Sequence, residues 1–111
     1  MPRYDPGTLI GAMKGGLKPF KAQFVQHDGE FEYDAESVVW ARTLAAAENK
    51  ARRFMSTWWG ENDMKPCRDA SGKVDPDSYE EKAPGYRIVE LGAVRELETI
   101  GDLISCIGEI E

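Results

Sequence analysis

One histidine, two distant cysteines, a run of carboxylates and a pair of adjacent tryptophans are the residues of this sequence that could do chemistry. His27 stands in "QHDGE", beside an Asp28-Gly29 step that marks a hairpin tip. A general base needs a positioned partner and a pocket; an exposed tip supplies neither. With His27 set aside, no serine or cysteine has a base in view. Cys67 and Cys106 lack CxxC spacing, and with a single histidine they do not make a zinc site. They read as reduced thiols rather than a disulfide. "DASGKVDPDSYEE" puts Asp69, Ser71, Asp75 and Glu80 at positions 1, 3, 7 and 12 of a notional calcium loop. Glycine, however, falls at position 4 instead of 6, and Lys73 takes position 5. No catalytic residue, cofactor or metal is therefore expected, and the chain reads as a binding protein rather than an enzyme.

Net charge is −6, unevenly spread: residues 1 to 55 carry 8 Lys+Arg against 7 Asp+Glu, while residues 56 to 111 carry 6 against 13. Acid in the second half could steer association with a basic surface. The residues to do so are Glu61, Asp63, Asp69, Asp75, Asp77, Glu80 and Glu81, with Trp59 as an aromatic anchor beside them. A rival patch is Lys50, Arg52 and Arg53, which could meet phosphates while Trp59 stacks a base. An overall pI near 4.8 argues against nucleic acid as the main partner. Trp59, Trp40 and Met64 could also form an apolar patch for self-association, so a homodimer is a further expectation.

The elements that must position these residues are legible in part. At 111 residues, 41% hydrophobic and 31% charged, the chain suits one domain with a packed core. Phe20, Ala22 and Phe24 alternate with Lys21 and Gln23, then Phe31 and Tyr33 with acids, about a type I′ turn at Asp28-Gly29. A kink or bulge is expected near Ala35-Glu36. Thr43 is positioned to cap "LAAAENKARRFMSTWW", whose Leu44, Ala47, Ala51, Phe54, Met55 and Trp58 follow the spacing of one buried face. Consecutive helical residues lie about 100° apart. Trp58 thus belongs to the core, and Trp59 to its edge. Residues 60 to 85 are rich in Gly, Pro, Asp and Ser and read as a long loop. Tyr86 to Leu97 reads as a strand, and the tail as a short helix capped by Thr99.

The expected fold is α+β: an antiparallel sheet, made of the hairpin and one later strand, packed by one long helix, with short N- and C-terminal helices. No stretch approaches the ~20 apolar residues of a membrane span, and no signal h-region is visible. A cytoplasmic location is expected. The functional expectation is a small acidic protein that occupies a basic, nucleic-acid-binding surface of a partner, in the manner of the inhibitors or accessory factors of phages and mobile elements. The alternatives are a direct nucleic-acid binder through Lys50, Arg52 and Arg53, or a small enzyme or subunit whose site is completed by oligomerisation.

Overall fold

Two eleven-residue strands, β1 (Lys18–Asp28) and β2 (Phe31–Ala41), form the spine of the molecule. Their register runs unbroken from Lys18↔Ala41 to Asp28↔Phe31. The computed structural model describes residues 15–58, 64–82, 87–104, 106 and 108–110. Within them follow α1 (Leu44–Met55), β3 (Met64–Arg68), β4 (Val74–Glu81), β5 (Arg87–Glu96), a five-residue helix α2 (Ile100–Ile104) and β6 (Gly108–Ile110). The six strands make one mixed sheet in the order β3-β4-β5-β1-β2-β6. Every pairing is antiparallel except β2 with β6.

The protein is therefore mostly β, and the expected α+β hairpin sandwich is corrected on several points. The stretch read as a loop over 60 to 85 contains β3 and β4, joined by a turn in which the Asp69 carboxylate accepts from the amides of Ser71 and Lys73 and from the Ser71 hydroxyl. Gly72, at φ +86°, closes that turn in the left-handed region that glycine enters freely. Proline in these strands discouraged a strand reading, yet Pro66 lies on the edge strand and beside a register shift, where the ladder tolerates a missing N–H. In the tail, the Thr99 hydroxyl accepts from the Asp102 amide and starts α2, and the chain then turns into β6 instead of continuing as a terminal helix. The expected N-terminal helix lies outside the described residues.

The β1–β2 turn is also one residue later than expected. Gly29 and Glu30 form the two-residue loop, with Gly29 at φ +65° in its first position. Nor does β2 bulge near Ala35-Glu36. The irregularity lies in β5, where the pairing with β1 steps from Ala22↔Val94 to Phe24↔Leu91. Gly92 sits at that step; a Cβ there would stand 3.0 Å from the Gln23 side-chain oxygen and 3.3 Å from its carbonyl oxygen, a close approach that favours glycine at the bulge.

One sheet face is covered by α1. Thr43 caps this helix by accepting from the Ala46 amide. Ala47, Ala51 and Met55 pack on Phe20, Ala22, Phe24, Val39 and Val89, with Met64 and Ile110 closing the ends. Trp58 follows three residues past the helix, 1% exposed, its ring against those of Phe24 and Phe54 at 5.0 and 5.6 Å, which also meet each other at 5.7 Å. Its indole N–H donates to the Gln26 side chain at 2.7 Å. Trp59 lies outside the described residues. Trp40 and Met64 are both buried, so neither supplies the exposed self-association patch expected of them. Alternation along β1 and β2 sends Val38 and Trp40 to the face opposite Phe20 and Val39. There the Trp40 indole N–H donates to the Glu109 carboxylate, and Lys21 reaches Asp102 of α2.

Candidate functional site

Antiparallel pairing places residues directly opposite one another on the same face of the sheet. From β1 outward, Val25 and His27 pair with Asp34 and Glu32 of β2 and with Glu90 and Ile88 of β5; Ser78 and Glu80 of β4 extend the row. Glu32, Asp34, Glu36, Glu80 and Glu90 thus share the face that α1 leaves free. Glu30 adds a further carboxylate from the loop. Between Ala22 and Ala41 there are five Asp or Glu and no Lys or Arg. Half-chain charge counts hide this cluster, because Lys18, Lys21, Arg42, Lys50, Arg52 and Arg53 balance it on paper.

The expected acidic site fares differently. Asp77 receives the Arg52 guanidinium at 2.6 Å. Glu80 lies 3.6 Å from Lys65, and Glu81 3.2 Å from Arg87. The Asp75 carboxylate accepts from the Asp77 amide, and that of Asp69 holds its own turn. The hydrogen bonds from Ser71 and Lys73 hold the Asp69 carboxyl below the usual range. Glu61 and Asp63, like Trp59, lie outside the described residues. The five described acids of that set are therefore largely occupied within the fold.

Two of the three cations of the rival basic patch are engaged as well. Arg52 bridges Asp77 and, one helical turn back, Glu48; the hydrogen bond from its Nε to Asp77 raises its pKa. The Lys50 ammonium donates to the Trp40 carbonyl, which fixes it at the end of β2. Arg53 alone of the three is exposed without an ion pair among the described residues. It borders a shallow pocket of about 340 Å³ with Lys50, Phe54 and Ile110.

By contrast, Glu30, Glu32 and Asp34 are exposed and make no ion pair among the described residues. Asp28, at the end of β1, stands opposite Arg87, whose guanidinium turns to Glu81. Glu36 is held by Lys21 at 2.5 Å. His27 is no isolated tip residue: its Nε2 lies 3.3 Å from the Glu90 carboxylate, within the acidic row. The opposite side of the hairpin end carries Phe31 and Tyr33, 66% and 51% exposed, with rings stacked 6.4 Å apart. The sequence signal for this site was "FEYDAES" itself, where aromatic and acidic residues alternate with the strand period.

Nothing in this arrangement resembles an activated nucleophile. Burial pushes the Cys67 thiol up, and Glu80, Asp75 and Glu90 add to the shift, so Cys67 is a poor thiolate at neutral pH. Cys106 is raised chiefly by burial as well. Among the described residues no three of His, Cys, Asp or Glu gather as metal ligands. Nor is any described helix long and apolar enough to cross a membrane. Compared with known proteins, the chain matches no family model, no curated sequence and no solved structure.

Proposed function

We propose that this protein acts by binding a partner protein at a basic surface, through the end of the β1–β2 hairpin. The observation that carries this reading is the set Glu30, Glu32 and Asp34: exposed, on the β1–β2 hairpin, and without an ion pair among the described residues, while Asp77, Glu80 and Glu81 of β4 pair with Arg52, Lys65 and Arg87 within the fold. Unpaired carboxylates on a sheet present a fixed negative field that speeds encounter with a positive patch and repels phosphate. Phe31 and Tyr33, on the other face of the same hairpin end, supply the aromatic area in which interfaces concentrate their energy. A basic surface that otherwise holds nucleic acid is the partner that fits this field.

The test is affinity capture with nuclease present, comparing the wild type with a Glu30→Gln, Glu32→Gln, Asp34→Asn variant. Proteins retained by the wild type and lost by the variant, with association that slows as salt rises, are the expected result. Identical retention by both chains removes the hairpin from the reading. Retention that disappears with nuclease replaces the protein partner by nucleic acid.

A further inference from the structure

β2 is eleven residues long, but β6 covers only Ser37, Val38 and Val39 of its outer edge. From Phe31 to Glu36 that edge carries no strand among the described residues. The ladder determines what the edge offers. Asp28 and Phe31 flank the two-residue loop and face each other as a hydrogen-bonded pair, so the backbone groups of Phe31, Tyr33 and Ala35 point to β1. Those of Glu32, Asp34 and Glu36 point outward, as does Val38, which β6 uses. The open edge is about 20 Å long at ~3.4 Å per residue, with carboxylates on one face and the Phe31–Tyr33 stack on the other.

We infer that this edge receives an extended basic segment of the partner as an added strand, with Lys or Arg over Glu32, Asp34 and Glu36 and apolar side chains over Phe31 and Tyr33. The inference rests on the docking reading above and specifies its mode: backbone hydrogen bonds supply affinity and the alternating side chains supply selectivity. Charge decides against a second copy of this chain. Antiparallel pairing of two such edges about Asp34 would oppose Asp34 with Asp34 and Glu32 with Glu36, and like charges directly opposite are destabilising. An exposed edge is blunted against its own kind by such charges and left open to a complementary strand.

Two measurements test the inference on the full chain. The first is hydrogen exchange at the Glu32, Asp34 and Glu36 amides, read by NMR, with a seven-residue peptide of alternating lysine and valine and a peptide of the same composition in two blocks. Protection of those three amides by the alternating peptide, and its preference over the block peptide, are expected. Equal binding of both peptides with unchanged exchange overturns strand addition and leaves docking by charge intact. Slow exchange at the three amides before any peptide is added means the edge is already occupied by this chain or a second copy, and overturns it too. If neither peptide binds and the neutralised variant retains every partner, the docking reading itself falls.

The second measurement compares Asp34→Pro with Asp34→Asn. Both remove the carboxylate; only proline removes the outward N–H, which β1 does not use. The alternating peptide should bind Asp34→Pro about tenfold more weakly than Asp34→Asn, the loss of roughly one hydrogen bond. Equal affinities for the two variants, with β1–β2 exchange unaltered, would refute the strand.

Discussion

Trp58 joins the helix to the hairpin, and its replacement measures how firmly. The side chain is 1% exposed, its ring packs against both Phe24 and Phe54, and its N–H reaches Gln26, the residue of β1 opposite Tyr33. Trp58→Ala removes a large buried ring and should cost about 3 to 5 kcal/mol. Two aromatic contacts at about 0.5 to 1.5 kcal/mol each are part of that loss, and one hydrogen bond at about 1 kcal/mol is another; the remainder is lost burial and cavity. Trp58→Phe separates the terms. Phenylalanine keeps much of the ring packing but leaves the Gln26 oxygen without its donor, for about 1 to 3 kcal/mol. Urea unfolding of the three chains gives the values directly, provided that the slope with denaturant is the same. Against a total stability of about 5 to 15 kcal/mol, the alanine variant loses a large share of the fold. A loss below about 1 kcal/mol for Trp58→Ala would refute its place in the core. Equal losses for Ala and Phe would shift the weight from packing to the hydrogen bond.

Asp102 makes stability depend on acid. Hydrogen bonds from the Arg95 guanidinium and from the Glu98 and Thr99 amides hold its carboxyl far below the usual carboxylate range. The unfolded chain therefore binds the proton first as pH falls, and the stabilisation, complete above about pH 5, is lost progressively below it. Melting temperature should fall more steeply between about pH 5 and pH 2 for the wild type than for Asp102→Asn, and parallel curves would refute the assignment. Gly29→Val should destabilise by about 1 to 2 kcal/mol in urea, because φ +65° suits few side chains although no atom stands within 4 Å of a Cβ there. Gly29→Asn should lose less, since asparagine enters the left-handed region more readily; equal losses would count against a conformational origin.

What the sequence made legible was local. The Thr43 cap, the Ala47, Ala51 and Met55 stripe and the alternation of Phe20, Ala22 and Phe24 are each set by neighbours a few residues away, and each is found in place. β3 and β4 were not legible, because "MKPCR" and "VDPDSYEE" hold proline and acid that strands usually avoid. Their strand state comes from distant partners: Tyr79 opposite Val89, and Met64 entering the core from the edge. β6 is three residues in parallel pairing with a strand some 70 positions earlier, which no local pattern encodes. Charge was misjudged for a related reason. Counting by halves treats Arg52 and Asp77 as members of rival surfaces, whereas folding brings them to 2.6 Å. Glu30, Glu32 and Asp34, which make no ion pair among the described residues, lie in the half that looked neutral.

Those unpaired acids have an energetic consequence that bears on their use. Glu32, Asp34 and Glu36 are successive same-face positions of one strand, about 7 Å apart. At that distance in water each neighbouring pair repels by about 0.6 kcal/mol before salt screening, a strain that eleven aligned β1–β2 pairs absorb easily. Lys21 already relieves one end by holding Glu36, and nothing among the described residues does so for Glu32 or Asp34. A cationic side chain opposite each on an added strand would stand about 5 Å away, nearer than the neighbouring carboxylates are to each other. Its attraction therefore exceeds the repulsion it offsets, and grows as the strand excludes water from the edge. The same spacing makes a second copy the worst occupant, since every opposition it adds is between like charges. An acidic edge with aromatic backing is thus stable alone and unsatisfied at once, which is the condition a docking strand requires.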